Sequence, residues 1–169
     1  MKKTIFTSLA ILVFAFSAFA QKGKPTKVDP TKGVRTACEA LIDGIKKADV
    51  EKVMSVYQNS PKVLFFNNNG SATIGWDEMK RQRETIYAKT KNVTIDVTGL
   101  RIEMLGKDSA YVTYKWKQTQ NYDDKPETAA GRMTLVFRLI GKDWKVVHLH
   151  TSPDATKPDR TYLDGDGKQ

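Results

Sequence analysis

The sequence predicts an α+β domain: a long, bent antiparallel sheet preceded by about three helices that cover one of its faces. Three observations carry that expectation. Apolar residues recur with helical spacing early in the chain, and they alternate with strand spacing through its second half. That alternation changes parity once, at a glycine.

The helices come first. Val34, Ala37, Cys38, Leu41, Ile42 and Ile45 follow the i, i+3, i+4, i+7, i+8, i+11 pattern of one amphipathic face. Asp49 suits the N-cap of a shorter helix carrying Val50, Val53, Met54 and Tyr57, and Asn59-Ser60-Pro61 stops it. Val63 to Phe66 reads as a strand, and Asn67-Asn68-Asn69-Gly70 turns the chain into a second short strand ending at Ile74. A third helix is expected from about Asp77 to Lys89, with Met79, Ile86 and Tyr87 facing inward.

Strands follow. Val93, Ile95 and Val97 are odd-numbered, whereas Leu100, Ile102 and Met104 are even. A period of two cannot change parity without an extra residue, so a β-bulge is expected near Gly99. The next strand, Ala110 to Gln120, places Val112, Tyr114, Trp116 and Gln118 on one face. A loop is expected over Asn121 to Ala130, then a strand with Met133, Leu135, Phe137 and Leu139 on one face. Gly141-Lys142-Asp143 closes a hairpin into the last strand, Trp144 to Thr151. A sheet curled by a bulge, with helices across its concave side, forms a cone that can enclose a cavity.

The ends of the chain differ from its middle. Lys2 and Lys3, the apolar run Ile5 to Phe19 and the site Ala18-Phe19-Ala20 form a signal-peptide pattern over residues 1–20, with the mature chain starting at Gln21. The expected location is therefore periplasmic or secreted, with no membrane association after cleavage. Residues 21–32 read as a flexible spacer, 33–153 as the domain and 154–169 as a disordered tail. Asp164-Gly165-Asp166-Gly167 lacks the remaining ligands and closing glutamate of a calcium loop. The net charge of +9 comes from Lys and Arg interleaved with acids, so a solvated basic surface is expected and not a nucleic-acid partner. The lone Cys38, on the apolar helix face, reads as a small buried hydrophobe.

In the last strand Trp144, Val146, His148 and His150 share parity, while Val147 and Leu149 make the other face partly apolar too. A strand apolar on both sides is covered on both sides. The helices cover one side, so a homodimer through the outer sheet face is the expectation for the other.

The closing run Asp143-Trp144-Lys145-Val146-Val147-His148-Leu149-His150-Thr151-Ser152, together with Ala48-Asp49, Gly75-Trp76 and Gly131-Arg132-Met133-Thr134, resembles the nuclear transport factor 2-like superfamily. It is most similar to the SnoaL-like branch and to the association domain of calcium/calmodulin-dependent protein kinase II. The resemblance implies a cystatin-like roll, a curved-sheet cone with a deep pocket, usually dimeric. It spans isomerases, dehydratases, epoxide hydrolases, cyclases and non-catalytic modules, so it does not fix an activity. Ketosteroid isomerases of this fold place a carboxylate base on the strand that here reads Val63-Leu64-Phe65-Phe66-Asn67, which has none. The Asp-Arg-Asp relay of its epoxide hydrolases also has no counterpart on the inward faces.

The candidate site follows from side-chain parity. Trp116, Tyr114 and Gln118 are expected to line the pocket, with Trp76, Tyr57 and Phe137 contributing aromatic surface. His148 and His150 are expected to look inward, where either could act as a general base with Asp77 or Glu78 at the mouth. The competing reading has both imidazoles hydrogen-bonded in the pocket wall or at a dimer seam. Arg83 and Arg132 are candidate positive charges for an acidic ligand, Arg132 with outward parity. No metal and no cofactor is expected. The sequence thus points to an exported protein that binds a small, largely apolar molecule; the alternative is a His-based lyase, isomerase or cyclase.

Overall fold

The computed structural model describes residues 29–154, so the expected leader, most of the spacer and nearly all of the tail lie outside the described residues. Helix α1, Lys32–Lys46, buries Val34, Cys38, Leu41 and Ile45, all on the stripe expected from the sequence. It begins one residue before the expected domain boundary, behind a turn in which the Thr31 backbone N–H and hydroxyl both donate to Asp29 Oδ1. Helix α2, Val50–Val56, is capped by Asp49, whose Oδ1 accepts from the Lys52 N–H at 2.9 Å. Helix α3, Trp76–Tyr87, buries Met79 and Tyr87. Ile86, expected inward, is 41% exposed because it lies at the rim of a cavity and not in the packed core.

Among the described residues there are six strands: β1, Leu64–Phe66; β2, Ala72–Ile74; β3, Thr90–Met104; β4, Ser109–Tyr122; β5, Lys125–Ile140; and β6, Asp143–Pro153. They form one sheet in the order β2-β1-β6-β5-β4-β3. Every pairing is antiparallel except β1 with β6, which run parallel with Leu64 opposite His148 and Phe66 opposite His150. The helices cover one face of this curved sheet, and the core fills the space between.

Irregularities in the ladder bend the sheet. The shift between Thr98 and Arg101 on β3 adds one residue against β4, with Gly99 at φ 63°, the bulge expected from the parity change. A second shift, between Lys91 and Thr94, carries Asn92 at φ 54°. A third lies on β6: Val136 pairs with His148 but Phe137 pairs with Val146, so Val147 is the extra residue.

The loop expected over Asn121 to Ala130 is absent. β4 and β5 continue to a two-residue turn at Asp123 and Asp124, whose φ values of 52° and 61° fit the turn that matches strand twist. Aspartate tolerates this left-handed backbone, so a tight hairpin forms without the glycine that usually marks one.

Candidate functional site

Between α1, α3 and the concave face of the sheet lies a cavity of about 410 Å³. Its size falls within the ~300–1,000 Å³ usual for small-molecule pockets. Ile45, Met79, Ile95, Trp116, Met133 and Leu149 supply an apolar wall. The strands set this wall by alternation. Tyr114, Trp116 and Gln118 project inward from β4, with Met133 beside them on β5.

A chain of polar groups ties the mouth together. The β1–β2 turn leans on α3 through Asn67 Nδ2, which donates to Thr73 Oγ1 at 2.9 Å. Thr73 Oγ1 in turn donates to Gln82 Oε1 at 3.0 Å, and Gln82 Nε2 donates to Glu78 Oε1 at 2.9 Å. Deeper in, the Trp116 Nε1–H donates to Thr151 Oγ1 at 3.2 Å, which fixes the indole against β6. Arg83 reaches the cavity from α3 at the position one turn after Met79. Its Nη1 donates to the Tyr87 hydroxyl at 3.2 Å, with the guanidinium 5.5 Å from that ring's centre. Three polar atoms of the lining, Arg83 Nε, the Tyr114 hydroxyl and Asn68 Oδ1, are shut from solvent with no hydrogen-bond partner among the described residues.

The expected site residues divide. Trp116, Tyr114, Gln118 and Arg83 meet at the cavity. Tyr57 and Phe137 do not line it; both are buried in the packed core, Tyr57 edge-on to Phe65 with ring centres 5.0 Å apart. Burial pushes the Tyr57 and Tyr114 hydroxyls well above the ordinary phenol range, so both stay protonated. Trp76 anchors α3 on α2, its Nε1–H donating to the Met54 carbonyl at 3.0 Å beneath the Lys80 ammonium. Arg132 is exposed on the outer face. Cys38 is fully buried, and desolvation, followed by Glu39, pushes its thiol up to about 11.

The histidines require a correction. Simple alternation along β6 puts His148 and His150 inside with Val146, but the extra residue at Val147 reverses the parity beyond it. Leu149 and Thr151 therefore line the cavity, and both imidazoles turn to the outer face. There the His148 Nδ1–H donates to the Leu64 carbonyl at 3.0 Å. The Phe66 ring stands edge-on to both, 5.7 Å from His148 and 5.4 Å from His150. Leu149 and Thr151 are site residues that alternation missed. Their signal was the odd spacing from Val146 to Leu149, two apolar side chains three residues apart.

Residues 34–156 match the family model of the SnoaL-like domain. The chain belongs to the SnoaL-like family. A comparison with curated protein sequences finds no match. Among solved structures, a nuclear transport factor 2-like superfamily protein from Salmonella enterica serovar Typhimurium superposes with a TM-score of 0.69 at 22% identity, covering 82% of this chain and 97% of that one. A candidate dehydratase of the same family from Streptomyces avermitilis gives 0.67 at 21% identity over 75% of this chain and 96% of that one. A candidate calcium/calmodulin-dependent protein kinase II association domain from Xanthomonas campestris gives 0.61 at 15% identity, over 71% and 84%. At such identities the likeness is one of fold.

Proposed function

We propose that the cavity binds a small, largely apolar molecule and catalyses no reaction on it. The observation that carries this reading is the composition of the wall. Apolar and aromatic side chains supply most of its exposed surface, and polar ones such as Gln82, Arg83, Gln118 and Thr151 supply the rest, a mixture that can both hold and orient a small molecule. Among the described residues that line it there is no Asp, Glu, His, Lys or Cys, the groups that usually move protons at neutral pH. A lyase, isomerase or cyclase working through His148 or His150 would have to act on the outer face, against Phe66, and has less support. The test is a thermal-shift screen of hydrophobic metabolites against the wild type and Trp116→Ala. Stabilisation of the wild type that the variant loses supports the reading; no stabilisation by any compound counts against it.

The same reading makes the protein an exported homodimer. Support for the dimer comes from the outer face, where Phe66 and Ile74 are 40% and 66% exposed. Light scattering at micromolar concentration should give twice the mature mass for the wild type and a monomer for Phe66→Lys. Export is tested by N-terminal sequencing of the periplasmic or secreted fraction, which should begin at Gln21.

A further inference from the structure

We infer that the cavity selects a monocarboxylate, held by Arg83 and Tyr114 at its polar end with the apolar body against Trp116, Met79 and Met133. The inference rests on the binding role proposed above and adds the chemistry of the ligand's head group.

The cations of α3 are treated in two ways. Lys80 is paired with Glu51 at 2.6 Å, and Arg81 is paired with Glu78. Arg83, the inward one, has no carboxylate within ion-pair distance among the described residues, although Glu78 and Glu84 belong to the same helix. Among the described residues only its Nη1 has a partner, the Tyr87 hydroxyl, and its buried Nε–H has none. A guanidinium stays charged at any physiological pH, and Arg83 is half-buried with its Nε shut from solvent, so a charge held there without a counter-charge is unfavourable. Leaving it so at a cavity wall makes physical sense when the counter-charge arrives with a ligand.

Tyr114 adds the second donor. It projects from β4 into the cavity that Arg83 also lines, and its hydroxyl is buried with no partner among the described residues. Burial keeps that hydroxyl protonated, so the site offers donors and a positive charge. The complement is an anion, and a planar carboxylate matches the fork of a guanidinium. One cation among otherwise uncharged lining residues suits a single negative charge better than a phosphate dianion. The third orphan, Asn68 Oδ1, is an acceptor as placed. Turning the amide about its last bond exchanges oxygen and nitrogen at no change in shape and offers a further donor.

The experiment is calorimetric titration of the full mature protein with octanoate and indole-3-acetate, each beside its neutral amide, and with octyl phosphate. Both acids, or the one whose body fits, should bind at least ~10-fold tighter than the matching amide, the scale of one charge-assisted hydrogen bond in a buried site. Arg83→Met should abolish that preference while leaving amide binding within about threefold, and Tyr114→Phe should weaken acid binding several-fold. Should Arg83→Met fail to fold, Arg83→Lys, which keeps the charge but loses the fork, should retain a weakened preference for the acid. Amides that bind the wild type as well as the acids overturn the head-group assignment but leave the cavity reading standing. Tighter binding of octyl phosphate than of octanoate overturns the carboxylate in favour of a dianion. If neither acids nor amides bind, the binding role itself fails and this inference with it.

Discussion

The two ends of the cone are built from the same elements, yet one is solid and the other hollow. On α1, Val34, Cys38 and Leu41 are buried in the core, whereas Ile45 lines the cavity. On β4 the change falls between Val112 and Tyr114, on β5 between Leu135 and Met133, and on β6 between Val146 and Leu149. At the narrow end the facing side chains meet, and Phe65, Phe137, Leu41 and Met54 are excluded from solvent almost completely. At the wide end the side chains of the bulged strands and of α3 leave a cavity between them, and even the large Trp116 does not close it. The difference teaches that the cavity comes from backbone curvature and not from small side chains. Filling it would take a change in the sheet.

The contrast predicts how each end responds to substitution. Phe137→Ala, at the solid end, should cost about 3–5 kcal/mol in denaturant unfolding, the usual loss for a buried aromatic. A loss under ~1 kcal/mol would mean that this end is not close-packed. Gly131→Ala comes next. A methyl group there meets the Ser152 carbonyl oxygen and lies 3.0 Å from Trp116 Cζ2, so about 1–3 kcal/mol of overpacking is expected. Trp116→Ala should cost less than Phe137→Ala, ~1–2 kcal/mol, because one side of the indole already faces open space, while ligand stabilisation is lost. An equal cost for the two aromatic truncations would erase the distinction between the ends.

The smallest effect concerns Cys38. Its folded pKa, about 11 against 9.0 for the free thiol, means that the fold favours the protonated form. The stability this contributes is complete below pH 9 and is lost as pH rises through 11. Cys38→Ala should flatten that part of the stability profile relative to wild type. In the native wild type at pH 8, a thiol reagent should label Cys38 only as fast as the protein unfolds; rapid labelling would show that water reaches the solid end.

The helices and most strands were legible because their physics is local. The stripe on α1, the Asp49 cap and the parity switch at Gly99 each declare themselves within a few residues. The bulge at Val147 did not, since a β-branched residue in an apolar strand fits either face and no glycine marks the place. That one hidden residue exchanged His148 and His150 for Leu149 and Thr151 as cavity lining. Half of the site could be read from β4, where alternation runs undisturbed from Val112 to Gln118. The unpartnered state of Arg83 could not, because it depends on which acids lie near it in space.

The parallel pairing of β1 with β6 joins Leu64 to His148 and Phe66 to His150, across more than eighty intervening residues. β1 has no neighbour other than β2 until β6 is in place, so sheet assembly waits for the strand made after all the others described. Such distant closure raises contact order and slows folding. A nascent chain halted before Asp143 has an unfinished sheet with β1 unjoined to β5, and a protein of this topology closes its interior only once β6 has been made.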